Sequence, residues 1–68
     1  MTEVTMFIKE ANNGTAIQQV EQILNDLTGI ERVLVDADDG EVKIAFDNRR
    51  ISTERIAITL QQHDFHLM

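Results

Sequence analysis

The chain has 68 residues, 43% of them hydrophobic, and a formal net charge of −6 at pH 7. This length is near the lower limit for a core that folds alone, so we expect residues 1–68 to form a single domain. The acidic balance argues against nucleic acid or an anionic membrane surface as a partner. Zero cysteines exclude a disulfide and a thiolate metal site. With no signal-like or membrane-length apolar stretch, we predict a cytoplasmic location.

The first element in chain order is a strand, which we predict from Glu3 to Lys9. Its apolar side chains alternate along the chain, as is typical of a strand with one buried face. The alternating apolar residues are Val4, Met6 and Ile8. A loop follows at residues 12–14. Thr15, with Gln18 three positions later, forms a capping-box pattern, which predicts that the first helix begins at Thr15.

Apolar residues at steps of three and four predict that this helix continues for about three to four turns. They are Ala16, Ile17, Val20, Ile23, Leu24 and Leu27. Gly29 suits the left-handed position after the helix end. Two alternating strands then flank Asp38-Asp39-Gly40, and Asp-Gly is a strong hairpin signal because glycine accepts a positive φ.

The last third of the chain predicts a second helix and a fourth strand. Ser52 is a good N-cap, and Ile51 before it can pack on Ile56 as a hydrophobic staple. We predict the last strand from Asp64 to Met68. The element order is then βαββαβ, and one four-stranded antiparallel sheet with two helices on one face buries both helical stripes. The sequence therefore predicts an α+β, ferredoxin-like sandwich.

Short apolar motifs along nearly the whole chain resemble those of one family, the heavy-metal-associated domain of copper chaperones and metal-transporting ATPases. The matching segments are Val20-Glu21, Leu24, Leu27-Thr28-Gly29-Ile30, Val33-x-Val35-Asp36, Gly40-x-Val42-x-Ile44-x-Phe46-Asp47, Ile56, Leu60 and Asp64-Phe65. Most of them are packing positions, so the resemblance implies the fold more strongly than the activity.

The family's metal motif, Met-x-Cys-x-x-Cys, is missing from the loop before the first helix. Its Met position is Ala11, and its two Cys positions are Asn13 and Ala16. Cu(I) prefers thiolates, whereas an Asn amide is a weak, hard donor and Ala has no donor atom. The resemblance thus implies a metal-carrier fold, and the substitutions predict that high-affinity Cu(I) or Zn(II) transfer has been lost.

Acidic, amide and imidazole side chains are expected at one end of this fold, where the first loop, the hairpin turn and the last loop meet. They are Glu10, Asn12, Asn13, Asp38, Asp39, His63 and Asp64. One hypothesis is an alternative, weaker metal site for Zn(II), Ni(II) or a harder ion, formed by His63, Asp64, Asp38 and Asp39. The preferred interpretation is ordinary turn chemistry. We expect His66 to point away from the core, so that it does not meet His63.

The open face of the sheet offers an interaction surface. By alternation it presents four apolar residues, Phe7, Leu34, Ala45 and Met68. Together they could dock another protein or a second copy of the chain. No nucleophile stands beside a plausible base, and no glycine loop suits a phosphate, so we predict no enzymatic activity and no cofactor.

These observations favour a non-catalytic, metal-chaperone-like domain that has lost its ligands and acts through protein contacts. The contacts are with itself, or with a metal-transport or stress-response protein. The first alternative is metal binding through His, Asp and Asn groups. The second is a small-molecule sensor related to amino-acid-binding regulatory domains, which share the βαββαβ order.

Overall fold

The computed structural model describes residues 1–67. In chain order the elements are β1 (Thr2–Phe7), α1 (Gly14–Asn25), β2 (Ile30–Asp36), β3 (Glu41–Phe46) and α2 (Thr53–Gln62). Two helices and an antiparallel sheet confirm the predicted α+β class. Within residues 1–67, neither helix is long and apolar enough to cross a membrane.

The sheet has three strands in the order β1-β3-β2, and both outer strands run antiparallel to β3. In the middle of the sheet, Ile44 of β3 lies between Val4 of β1 and Val33 of β2. The pairing of β2 is irregular between Ile30 and Arg32. The sheet thus has a regular pairing along β1 and a distorted start of β2.

The predicted fourth strand, Asp64 to Met68, is wrong for the described residues. The segment after α2 makes one antiparallel bridge, between Ile8 and Leu67, and Met68 lies outside the described residues. The reason is the way in which α2 ends. Asp64 has a φ of 65° and donates its N–H to the carbonyl of Gln61. Phe65 donates to Leu60, which completes a Schellman turn. Residues up to Phe65 therefore end the helix and are not free to form a strand.

The start of α1 also differs from the prediction. Asn13, not Thr15, is the N-cap, and its Oδ1 accepts the N–H of Ala16 at 2.9 Å. Asn and Thr are both favoured at the N-cap position, so residue type alone does not choose between Asn13 and Thr15. With Asn13 as the cap, the helix begins at Gly14 and Ala16 is buried in its first turn.

Other local predictions are confirmed. Ser52 caps α2, with its Oγ accepting the N–H of Arg55 at 3.1 Å. Ile51 and Ile56 are both buried, as a hydrophobic staple requires. Gly29 and Gly40 have φ values of 99° and 73°, which L side chains rarely adopt.

The core lies between the two helices and the inner face of the sheet. Its largest fully buried side chains are Phe46, Ile8, Leu24, Ile44, Ile56, Leu60, Val20 and Val42. They come from α1, β3, α2 and the residue after β1, and Met6 of β1 and the half-buried Val33 and Val35 of β2 pack with them into one core.

Candidate functional site

The loop between β1 and α1 forms an open cleft with the segment that follows α2. The cleft has a volume of about 880 Å³. It is lined by Lys9, Glu10, Asn12, Asn13, Ala16, Gln19, His63, Asp64, Phe65, His66 and Leu67. The structure thus brings the first loop and the last segment together, as predicted, and this cleft is the candidate functional site.

The two positions that match the family's ligand cysteines, Asn13 and Ala16, take part in starting the helix. The Oδ1 atom of Asn13 accepts the N–H of Ala16, and its Nδ2 donates to Oδ1 of Asn12 at 3.3 Å. Ala16 and Ala11 are buried. An amide oxygen already used as a helix cap, next to a methyl group, does not fit a soft cation, which needs thiolates. The structure thus gives Asn13 the role of a helix cap and places the methyl group of Ala16 inside the first turn.

Glu10 and His66 form the most specific contact in the cleft, which we call the Glu10–His66 clamp. One carboxylate oxygen, Oε1, accepts the backbone N–H of His66 at 2.8 Å. The other, Oε2, lies 2.5 Å from Nδ1 of the same residue. Next to the clamp, the N–H of Lys9 donates to the carbonyl of His66 at 2.9 Å. Both oxygens of Glu10 thus hold the last segment against the first loop.

These contacts also lower the pKa of the Glu10 carboxyl group. The backbone hydrogen bond from His66 is the main cause that lowers the pKa of Glu10 below its ordinary value of 4.5, and the bond to the His66 side chain adds to it. Glu10 is therefore a carboxylate at neutral pH. Glu10 was expected at this end of the fold, but its pairing with His66 was not predicted. No local pattern marks a contact between residues 56 positions apart.

The predicted oxygen and imidazole ligands are divided between two places. His63 and Asp64 line the cleft. Asp39 instead accepts the N–H of Glu41 at 3.1 Å in the hairpin turn, and Asp38 donates its N–H to the carboxylate of Asp36 at 3.0 Å. In the described part of the chain, no three His, Asp or Glu side chains form a group that could hold a metal ion. Asp38 and Asp39 thus have ordinary turn roles.

The open face of the sheet differs from the predicted apolar patch. Phe7 and Leu34 are 40% and 56% exposed, whereas Ala45 is only 4% exposed. Ala45 lies on the central strand between Glu3 and Arg32, whose longer side chains flank its methyl group. Its assignment to an exposed patch was therefore wrong, and Met68 lies outside the described residues.

Charged residues also separate Phe7 from Leu34. The central strand places Glu41 opposite Phe7 and places Lys43 opposite Leu34. The Nζ atom of Lys43 lies 3.7 Å from Oε1 of Glu41. This ion pair divides the two exposed apolar side chains, so they do not form one continuous surface.

Comparison of the sequence with protein-family models and with curated proteins gives no match. Comparison of the fold with solved structures gives close matches. The CopZ metallochaperone superposes with a TM-score of 0.92, over 98% of this chain and 100% of that chain, at 15% sequence identity. This is the fold of the heavy-metal-associated domain.

Two further solved structures support the same assignment. A putative copper-ion-binding protein from Bacillus anthracis str. Ames has a TM-score of 0.90 and 18% identity, over 98% of this chain and 94% of that one. Oxidized MerP from Ralstonia metallidurans CH34 has a TM-score of 0.90 and 13% identity, over 98% and 93%. The resemblance to heavy-metal-associated domains is thus confirmed for the fold, in a chain without cysteine.

Proposed function

We propose that this chain is a heavy-metal-associated-like domain that has lost its metal site and acts by contacting proteins. One observation carries the proposal. At the two positions where the family has ligand cysteines, Asn13 caps α1 and Ala16 is buried in its first turn. Both side chains now stabilise the helix start, which is a structural role that needs no metal.

The Glu10–His66 clamp supports the same proposal. A carboxylate and an imidazole are the strongest remaining donors beside the loop, and each is already bonded to the other. A metal ion recruiting Glu10, or Nδ1 of His66, would have to break this pair. It would also release the backbone N–H of His66 from Glu10. The clamp thus competes with metal binding through the Glu10 carboxylate.

Protein contact is the role that remains for such a fold. Its solved neighbours include a metallochaperone and a copper-binding domain of a P-type ATPase. A carrier must dock on a protein to deliver a metal, and docking needs a surface as well as a ligand site. We propose that this chain keeps a docking role in the cytoplasm without carrying the ion and without catalysing a reaction.

Calorimetric titration with Cu(I), Cu(II), Zn(II) and Ni(II) tests the loss of the metal site. We expect no tight, stoichiometric heat with any of the four ions. Tight binding that disappears in His63→Ala would contradict the proposal. It would support the alternative site, for which the presence of His63 and Asp64 in the cleft is the favouring observation.

A repaired loop provides the positive control for these titrations. We expect Asn13→Cys with Ala16→Cys to create Cu(I) affinity, since two thiolates three residues apart at a helix start can converge on one ion. The matched control is Asn13→Ser with Ala16→Ser, which has similar size but only hard donors. If the cysteine variant folds and binds Cu(I) no better than the serine variant, the assignment of the loop is wrong.

A further inference from the structure

One asparagine of the chain, Asn13, is followed by glycine, and the pair lies on the surface. Asn12, Asn25 and Asn48 are each followed by a residue with a side chain. Asn13 and Gly14 are both exposed. The side-chain amide of an asparagine reacts with the backbone nitrogen of the next residue, and a glycine there presents no Cβ to hinder the approach. The pair is therefore a candidate site of modification.

The structure leaves the reacting nitrogen of Gly14 and the space around it free. Gly14 is the first residue of α1, and the first N–H groups of a helix have no intrahelical acceptor. A Cβ built at Gly14 would meet nothing within 4 Å in the described part of the chain. A five-membered ring between the side chain of Asn13 and this nitrogen thus has room, and water reaches both residues.

The chain has a second pair of this kind, Asp39–Gly40, which the fold protects. The N–H of Gly40 donates to the carbonyl of Asp36 at 3.0 Å. Gly40 is buried, and a Cβ built there would lie 2.6 Å from the carbonyl oxygen of Ile8. The nitrogen and the space that ring closure needs are therefore both occupied at this second pair.

The first turn of α1 must open before Asn13 reacts. Its Oδ1 accepts the N–H of Ala16 at 2.9 Å, and its backbone is extended, with a ψ of 164°. Ring closure needs the side chain to leave Ala16 and the nitrogen of Gly14 to rotate toward Cγ. The ends of elements open locally at a much lower free energy than the core does. The reaction thus needs only the first turn to open, while the rest of the fold stays closed.

We propose that Asn13 is a site of spontaneous deamidation in the folded protein. The nitrogen of Gly14, after losing its proton to hydroxide, attacks Cγ of Asn13 and forms an N–C bond. The Cγ–Nδ2 bond breaks, and ammonia leaves with a proton taken from water. Water then opens the succinimide ring, so the net reaction converts the amide and water into a carboxylic acid and ammonia. The site depends on the helix start and is independent of whether the protein binds a metal.

The two ways of opening the ring have opposite effects on α1. Attack of water at Cγ gives aspartate, which still accepts the N–H of Ala16 and adds a negative charge at the positive end of the helix. Attack at the backbone carbonyl gives isoaspartate, in which the main chain runs through Cβ and Cγ and the cap is lost. Both products add one negative charge to the cleft that Asn13 lines.

Isoelectric focusing of the folded protein, incubated at mildly alkaline pH, detects the product. We expect an acidic species to accumulate, with the mass increase that replacement of –NH2 by –OH produces. Trypsin cleavage after Lys9 and Arg32 isolates the segment that contains Asn13, and fragmentation of this peptide locates the change. Modification of another asparagine with Asn13 intact, or no change of charge and mass, would overturn the proposal.

Two alanine variants in the first turn of α1 test the chemistry. Gly14→Ala places a Cβ on the residue that must attack, and we expect the acidic species to be lost. Thr15→Ala leaves the Asn13–Gly14 pair intact, so it should deamidate like the parent protein. Both changes raise the helix propensity of this turn, so the difference between them reports the hindrance at Gly14. Equal rates would overturn the proposal, and circular dichroism would verify that both variants are folded.

Comparison with the unfolded chain tests the selection of Asn13 by the fold. In guanidinium chloride neither Asn13–Gly14 nor Asp39–Gly40 is protected, so isoaspartate should form in both tryptic peptides, residues 10–32 and residues 33–43. In the folded protein we expect the proportion in residues 33–43 to fall sharply. Methylation by an isoaspartate-specific methyltransferase measures the product in each peptide. An unchanged proportion between the two peptides would overturn the selection of Asn13.

Discussion

The carboxylate of Glu10 accepts the backbone N–H of His66 and also contacts its imidazole, joining the first loop to the last segment across 56 positions of the chain. The contact occupies the end of the fold where a metal carrier would hold its ion. Together with the Asn13 cap, it gives the side chains of this end structural roles.

Glu10→Ala should lower the free energy of unfolding at neutral pH, since it removes both contacts to His66. Because the folded state lowers the pKa of Glu10, this contribution is fully present above the ordinary value of 4.5. It is lost as the pH falls through the lower folded value. Urea unfolding of both proteins should thus show curves that differ at pH 7 and converge in strong acid. A stability difference between the two proteins that does not depend on pH would contradict the lowered pKa of Glu10.

Asn13→Ala should destabilise the protein by about 1 kcal/mol, the usual cost of losing an N-cap. The lost interaction is the 2.9 Å bond from the N–H of Ala16. Asn13→Asp should retain it and add a favourable charge at the helix start. Asn12→Ala is the matched control, since the Asn12 side chain accepts only the 3.3 Å bond from Asn13. Denaturant unfolding checks the order of stability of the three variants. Equal losses of stability for Asn12→Ala and Asn13→Ala would contradict the assigned cap.

Gly40→Ala should destabilise by about 1–3 kcal/mol, because a residue with a Cβ at a φ of 73° is strained. A Cβ built there would lie 2.6 Å from the carbonyl oxygen of Ile8, which adds a backbone clash. Gly14→Ala is the control, since its Cβ would meet nothing within 4 Å in the first turn of α1. We expect this variant to be more stable by about 0.4–1 kcal/mol, because alanine lowers the conformational entropy of the unfolded chain. Thermal melts would refute the turn geometry if both variants behaved alike.

Two isoleucines on α2 differ in burial, so the same substitution at each position shows how much burial contributes to stability. Ile56 is fully buried, whereas Ile58 is 47% exposed. Ile56→Ala should therefore cost about 2–5 kcal/mol, and Ile58→Ala should change the stability by only about 0.5 kcal/mol. Chemical unfolding of the two variants measures the difference. Similar losses at both positions would mean that α2 packs with another face against the core.

The parts of the fold that the sequence predicted are those determined by local physics. Apolar periodicity located both helices and the three strands, and Gly29 and Gly40 marked positions where φ is positive. Ser52 was identified as a cap because Ile51 before it and Ile56 after it stand at the two positions of a hydrophobic staple. For α1, Asn13 and Thr15 are both favoured cap residues, and residue type alone did not choose between them.

The remaining features depend on contacts distant in sequence. The apolar pattern of the last residues suggested a strand, but the left-handed Asp64 and the Schellman turn use that segment to end α2. The clamp joins two ends of the chain, and no spacing rule relates them. Ala45 looked exposed by alternation, yet its neighbours across the sheet, Glu3 and Arg32, could be known only from the register.

The irregular pairing at the start of β2 has a consequence for assembly. A shifted register between Ile30 and Arg32, beside charged side chains, makes that border of the sheet a poor template for an incoming strand.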